Sequence, residues 1–598
     1  MFKKERIYED LSLVLLRVRI TFIVVAALFA LILVYYWKVQ VLEHPKYWRM
    51  SEANRLRERV LPAPRGVITD RSGKIILADN TAGFKVSILR ENVKDFDRTC
   101  RDVSRLLGIS EEDLRARMDK YRDTPAFEPV VVKDGLGTDE VARIEARKSD
   151  FPEVEVGIEP RRSYPFGSST AHVLGYLQEI STEELRSAAG RARRMGDMVG
   201  KTGIERQYEE TLSGSDGRLL EVVDSFGRSR GEMTREEPRR GGSVRLNLDF
   251  DLQRLAEEVL EGKEGAVVVL EAKTGDVLAL ASYPNFDPSR FINRFTPDEW
   301  MSLIGDPTFP LENRAIRGLY SPGSIFKIVM ALAGLDAGYV NPATSYYCSG
   351  AQEIYGTVRS CWFKPGHGSM DLTNAIRNSC NIYFYNLGQR MGIVPIAEYA
   401  RRMGLGRPTG IDIPGEKDGL VPDPDWKKKT TGANWFRGET ISVAIGQGPI
   451  LATPLQIAAL TACVANRGLP VAPRLAAREE VPAPNERVPL GPAAFESVVK
   501  GMWMSVNAEG TGRGAKVEGF DVCGKTGSTQ WISKETAEKL AQRGQEVPKT
   551  HSWFSGFAPM SDPQIVVTVL VEFGGGGGAA AAPLAGRLFD LYRKKYAR

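Results

Sequence analysis

One stretch of the chain carries no charge at all: Ile20 to Trp37 reads ITFIVVAALFALILVYYW. As a helix it reaches roughly 27 Å, near the hydrocarbon thickness of a bilayer. Arg17 and Arg19 precede it, Lys3, Lys4 and Arg6 lie further upstream, and Tyr35, Tyr36 and Trp37 form an aromatic belt at its far end. Basic flanks stay in the cytoplasm. The pattern therefore predicts a cytoplasmic tail over 1–19, a transmembrane helix over 20–37, and everything later outside the membrane. A cleaved signal peptide would have a shorter apolar run and a small-residue cleavage site, whereas KVQVLEHPKYW follows here.

Residues 38–245 mix short alternating runs with helical ones. GFKVSIL at 83–89 and GSVRLNLDF at 242–250 alternate as half-buried strands do, while EEDLRARMDKY at 111–121 has helical spacing. This predicts an extended α+β module, with the Arg-rich strings at 187–194 and 235–240 as exposed loops. The texture changes near 246. DLQRLAEEVLEG reads as an amphipathic helix, and GAVVVLEAKTGDVLALAS at 265–282 as two apolar strands around a Lys-Thr-Gly-Asp turn. Helix-like apolar segments fill the middle, QIVVTVLVEF at 564–573 reads as a strand, and LAGRLFDLYRKKY as a closing helix. Strands at both ends with helices between predict, for 246–598, an antiparallel sheet backed by helices. The low-complexity run from Gly574 to Ala582 is expected to be a flexible loop.

Composition narrows the function classes. At 598 residues the chain needs two or more domains, and its 42% hydrophobic and 26% charged residues are ordinary for globular protein. Lys plus Arg total 80 against 75 for Asp plus Glu, a net charge of +5 that makes no case for nucleic-acid binding.

Three short motifs carry candidate chemistry. Ser324-Ile-Phe-Lys327 follows the chain-breaking Pro322-Gly323 and opens an apolar helix. That places Ser324 near a helix N-terminus with Lys327 on the same face, one turn along. Serine is a weak nucleophile until a base takes its proton, and a lysine in apolar surroundings loses its own proton more readily. Ser379-Cys-Asn381 offers a second hydroxyl to relay a proton and an amide to hold a peptide. Lys525-Thr526-Gly527 follows a strand-like run. Its cation suits a terminal carboxylate, its glycine admits a close backbone, and the Ser528 N–H could complete an oxyanion hole with that of Ser324. Each motif alone is cheap: Ser497-Val-Val-Lys500, Ser505-Val-Asn507, Lys201-Thr-Gly203 and Lys273-Thr-Gly275 match as well. Spacing separates the sets. Ser324, Ser379 and Lys525 are 55 and then 146 residues apart, ample for three elements converging on one cleft, whereas Ser497 and Ser505 share one helix.

A fourth group stands out because the chain has only four histidines and six cysteines: Cys348, Cys361, His367 and Cys380 fall within 33 residues. Three thiols and an imidazole suit tetrahedral zinc, although the spacing is not that of a zinc finger. A disulfide among the three, or plain buried cysteines, are the alternatives.

The ordered set SIFK, SCN, KTGS resembles the penicillin-recognising serine enzymes. RGVITDRSGKIILADN at 65–80, RRSYPFGSSTAHVLGYL at 161–177 and GKTGIERQYEETLSG at 200–214 are similar to the pedestal signatures of class B penicillin-binding proteins. NRAIRGLYSPGSIFK, ISVAIGQGPILATPLQIA and HSWFSGFAP are similar to their transpeptidase blocks, and GIERQYEETLSG and ANWFRGETISVAIGQG favour the elongation type. The resemblance implies a pedestal over 38–245 and a β-lactamase-like transpeptidase domain over 246–598. It implies a DD-transpeptidase that cross-links peptidoglycan stem peptides through an acyl-enzyme on Ser324, with release of D-Ala and covalent inhibition by β-lactams. Lys327 would be the base, Ser379 and Asn381 would assist, and Lys525 and Thr526 would hold the carboxylate beside Gly527 and Ser528. It implies a SEDS glycosyltransferase partner of RodA type, other elongation-complex proteins, and an inner-membrane location. Some elongation-type relatives carry a metal at positions corresponding to Cys348, Cys361, His367 and Cys380, which implies a structural zinc with no catalytic role. The rival activities are DD-carboxypeptidase, a β-lactam sensor, or a scaffold that activates the polymerase.

Overall fold

The computed structural model describes residues 11–124, 126, 128–187, 193–223, 229–293, 295–478, 486–530 and 550–596. Its first helix, Leu11–Trp37, begins earlier than the uncharged run and includes Arg17 and Arg19. The apolar side chains project outward all round it, Phe22 being 73% exposed. None of the described residues covers them, so this helix suits a lipid surrounding, as expected of a single-pass anchor.

Beyond it the long strand Ile76–Ile88 organises the pedestal. It pairs antiparallel with Val154–Ser163 along ten positions and with Val130–Leu136 on its other side. The helices Phe96–Leu107 and Glu111–Lys120 cover this sheet, burying Val103, Leu107 and Leu114 against Val86, Ile88, Val130 and Val132. Asp95 and Ser110 cap the two helices by accepting from Arg98 N and Asp113 N, both at 3.0 Å. Three strands, Leu56–Leu61, Gly217–Val223 and Ser229–Glu236, form a second sheet nearer the anchor. In the string 235–240, Arg235 and Glu236 therefore close a strand rather than lying in a loop, although the string is largely exposed as expected. The other string, 187–194, lies largely outside the described residues.

The three pedestal strings quoted above meet in one buried charge network. Glu205 accepts from Arg65 Nε at 2.6 Å and from Arg162 Nε at 2.7 Å, and Arg65 also reaches Glu209 at 2.6 Å. Burial alone would raise the Glu205 pKa, but the Arg162 and Arg65 cations hold it below the usual carboxylate range. Glu205→Ala leaves the Arg162 guanidinium buried without a counterion and Arg65 with Glu209 alone. It is expected to cost about 3–5 kcal/mol of stability, measured by denaturing the full chain beside the wild type.

The C-terminal half is built on five antiparallel strands in the order Val277–Tyr283, Gly265–Glu271, Ile565–Val571, His551–Ala558, Cys523–Thr529. Gly265–Glu271 and Ile565–Val571 are apolar but for Glu271 and Thr568, because both faces are covered. Val567, Val569 and Val571 face the helices Phe250–Leu260 and Gly577–Tyr596; Val566 and Leu570 face the larger core that holds Pro454–Ala465. Cys523–Thr529 is an edge strand, open on one side.

Two expectations need correction. GSVRLNLDF pairs as a strand only at Val244–Arg245, because Asp249 already caps the next helix by accepting from Asp251 N and Leu252 N. The run Gly574–Ala582 is not a loop throughout: a helix starts at Gly577, with Ala581 and Ala582 fully buried. Alanine is the strongest helix former, and small residues are needed where this helix meets the sheet. A Cβ at Gly577 would fall 2.3 Å from Gly527 O and 2.4 Å from Trp553 O.

Candidate active site

The turn before Ser324 is fixed from several sides. Tyr320 exchanges two backbone hydrogen bonds with Ala452, and Trp553 Nε1 donates to Ser321 O at 3.1 Å. Gly323 has φ +55° and donates to Gly446 O at 2.9 Å. A Cβ on Gly323 would meet Thr529 Cγ2 at 2.5 Å and lie 3.4 Å from Ser528 N. Glycine is thus required twice, for the backbone angle and for the close approach of the edge strand. The chain then enters a 3-10 turn, Gly323–Phe326, and the buried helix Lys327–Asp336. Ser324 is half-buried at this helix entrance, while Lys327 is fully buried.

Ser379 lies between the helices Leu372–Arg377 and Asn381–Met391 with φ +52°, a left-handed conformation that is strained for any residue but glycine. The strain points its side chain to the other two motifs. Lys327 Nζ contacts Ser379 O at 2.8 Å, Asn381 Oδ1 at 2.7 Å and Ser379 Oγ at 3.2 Å. Lys525 Nζ donates to the same Ser379 Oγ at 2.9 Å and to Thr526 O at 3.0 Å. The set is saturated if Lys327 is neutral. Its two N–H bonds serve the carbonyl and the amide oxygen, and its lone pair is left for a hydroxyl. Burial pushes the Lys327 amine down to about 8, against the opposing pull of the Cys361 and Cys380 thiols. Burial and then the Lys327 charge push Lys525 well below the ordinary lysine range.

All three motifs therefore meet, as their spacing suggested. Thr526 Oγ1 donates to Thr511 Oγ1 at 2.8 Å, and Thr511 is a residue that no motif flagged. Gly527 is tightly enclosed, since a Cβ there would lie 3.0 Å from both Pro322 O and Trp553 Cβ. Ser528 Oγ accepts from Gly577 N at 3.0 Å. The other copies do structural duty. Ser497 donates to Ala493 O within the helix Pro492–Asn507, Ser505 is wholly buried, and Asn507 donates to Val522 O. Lys201 pairs with Glu184, and Lys273 with Asp562 beside the hairpin turn.

The ligand atoms of Cys348, Cys361, His367 and Cys380 all lie within 4.8 Å of one another, and all three cysteines are buried and unbridged. His367 Nδ1 is 3.6 Å from Cys348 Sγ and 3.5 Å from Cys361 Sγ. A tetrahedral zinc, with bonds of about 2.3 Å to sulfur and about 2.05 Å to nitrogen, sets that edge at about 3.5 Å. The donor set fits such an ion. The cluster is tied to the loop that bears Ser379: Asn381 N donates to Cys361 Sγ at 3.4 Å, Asn381 Nδ2 to Ser360 O at 3.4 Å, and Trp362 Nε1 to Asn378 O at 2.9 Å.

Comparison with known proteins shows the family. Residues 265–590 match the penicillin binding protein transpeptidase domain, and residues 60–246 match the penicillin-binding protein dimerisation domain. The chain is 34% identical to peptidoglycan D,D-transpeptidase MrdA of Acinetobacter baumannii, over 94% of this chain and 85% of that protein. It is 30% identical to the protein of that name from Escherichia coli K12, covering 93% and 91% of the two chains. Among solved structures, the complex between penicillin-binding protein (PBP2) and MreC from Helicobacter pylori superposes with a TM-score of 0.80 at 28% identity, covering 91% of this chain and 100% of that one. Pseudomonas aeruginosa PBP2 in complex with WCK 5153 gives 0.67 at 30% identity, covering 91% and 100%. The chain belongs to the penicillin-binding protein transpeptidases, with the PBP2-type pairing of a dimerisation domain and a transpeptidase domain.

Proposed function

We propose that this peptidoglycan DD-transpeptidase works through Ser324, and that one observation carries the assignment: the Ser379 hydroxyl bridges Lys327 and Lys525 beside the turn that holds Ser324. Ser324 Oγ attacks the carbonyl of the penultimate D-Ala while the Lys327 amine takes its proton. The oxyanion of the tetrahedral intermediate faces the backbone N–H groups of Ser324 and Ser528. As the peptide C–N bond breaks, the proton passes from Lys327 through Ser379 to the leaving amine, and D-Ala departs. The amine of a neighbouring stem then attacks the ester, its proton goes to Lys327, and Ser324 recovers its hydroxyl. Water in place of that amine gives carboxypeptidase activity. Thr526 and Lys525 receive the terminal carboxylate, and Asn381 the stem's backbone. A β-lactam follows the first half and stays attached. Labelling with a fluorescent penicillin, then peptide mapping, is expected to find the label on Ser324; a label on Ser497 would overturn the assignment.

The domains are the tail 1–19, anchor 20–37, pedestal 38–245 and transpeptidase 246–598. The basic residues Lys3, Lys4, Arg6, Arg17 and Arg19 favour a cytoplasmic N-terminus and a catalytic domain outside the inner membrane. The proposed partner is a RodA-type SEDS glycosyltransferase; similar solved structures described as a "peptidoglycan synthase complex" and as a complex with MreC support assembly with other wall-building proteins. The four-residue cluster holds a structural zinc, which when bound would supply rigidity rather than acyl-transfer chemistry. Purified protein is expected to contain about one zinc, and Cys361→Ser to lose it and to unfold at a lower temperature. A metal-free wild type with unchanged stability would refute this.

A further inference from the structure

Arg359 lies on the hairpin formed by the strands Ala351–Ile354 and Thr357–Ser360, next to the Ser360 carbonyl that accepts from Asn381. It is half-buried, and its Nε is buried without an acceptor. Among the described residues its guanidinium makes no hydrogen bond and no ion pair. A permanent cation with five donors in a rigid fork is seldom left so, because an unpaired buried donor costs its full desolvation.

The register shows where the side chain goes. Arg359 is opposite Gln352, and opposed residues share a face. Gln352 exchanges two side-chain hydrogen bonds, at 3.2 and 2.8 Å, with Asn386 on the Asn381–Met391 helix. Arg359 therefore projects on the active-site side of the hairpin. The hairpin's acid, Glu353, is opposite Val358 and leaves from the other face. Arg359 NH2 comes within 3.7 Å of the Cβ position of Gly438, in the helix Arg437–Val443. The chain after that helix reaches Gly446, the residue bonded to Gly323. The free guanidinium thus sits between the hairpin that steadies Asn381 and the segment that steadies the nucleophile turn. Neither element carries Thr526 or Thr511.

We infer that Arg359 is a substrate-binding residue, which takes a second carboxylate of the acidic stem peptide upstream of its D-Ala-D-Ala end. The inference rests on the transpeptidase reading above. A guanidinium receives a carboxylate through two parallel N–H···O bonds, which fixes orientation as well as charge. The terminal carboxylate at Thr526 and an internal one at Arg359 would hold the peptide at two points, with the scissile carbonyl between them.

The test uses the full chain in detergent and two penicillins. The side chain of one copies the acidic part of a stem peptide; its twin has that carboxylate converted to a carboxamide. Wild-type protein is expected to be acylated at least tenfold faster by the acidic penicillin. Arg359→Ala should lose this preference while reacting with the amide twin at the wild-type rate, and Arg359→Lys should keep part of it. The inference fails if the wild type shows no preference, or if Arg359→Ala slows both penicillins equally, which would make the arginine a prop for Asn381. A wild type that neither penicillin labels would instead sink the Ser324 reading.

Discussion

Ser324→Ala is expected to abolish covalent labelling by any penicillin and to lower peptide cross-linking by roughly 10⁴- to 10⁶-fold, the range seen when a serine nucleophile is removed from a machinery that acts as a unit. Other groups cannot substitute. The other Ser-x-x-Lys pair puts Lys500 in solvent and bonds Ser497 to its own helix, and the Ser379 hydroxyl is held by two lysines. The fold should be spared, because Ser324 is half-buried and the turn is held by Tyr320, Ser321 and Gly323 through bonds that the substitution leaves alone. Unchanged thermal unfolding with no acyl-enzyme in the mass spectrum would meet the expectation. Residual labelling would place the nucleophile elsewhere.

Lys327→Ala should lower the acylation rate by roughly 10²- to 10⁴-fold, the usual contribution of a general base. Lys327→Arg should not rescue it, since a guanidinium keeps its proton. The wild-type rate should depend on pH in a definite direction. Only the neutral amine can accept the Ser324 proton, and burial has brought its pKa from the ordinary lysine value down to about 8. Acylation should therefore rise about tenfold per pH unit below 8 and level off above it. The same shift makes the fold gain stability as pH rises from about 8 toward the unfolded lysine's value. In that window only the unfolded chain binds the proton. A rate independent of pH between 6 and 9 would remove Lys327 from the role of base.

Much of this was legible in the residues. Nearly continuous apolar runs such as GAVVVL and IVVTVLV reveal strands covered on both faces, and the wide spacing of Ser324, Ser379 and Lys525 separates them from copies lying on one helix. The scarcity of cysteine and histidine made Cys348, Cys361, His367 and Cys380 conspicuous. What escaped was set by tertiary contact. The glycine–alanine run has the composition of a loop, but burial against the sheet turns its alanines into a helix. Asp249 stops the alternating run before it by capping a helix. Thr511 and the positive φ of Ser379 carry no local signal, because their roles depend on residues far along the chain. Arg359 is one of many arginines until its lack of a partner among the described residues can be seen.

The five-stranded sheet has a consequence for biogenesis. Its strands come from residues 265–283 and 523–571, and the helix Gly577–Tyr596 packs beneath them against Gly527 and Trp553. Pairings of such sequence separation form late. If the chain is threaded across a membrane in the orientation proposed above, Ser324 emerges long before the strand bearing Lys525, so on the proposed mechanism a partly exported chain lacks half of its site. Reactivity toward the wall, or toward an antibiotic, would then begin only after the helix Gly577–Tyr596 has been delivered.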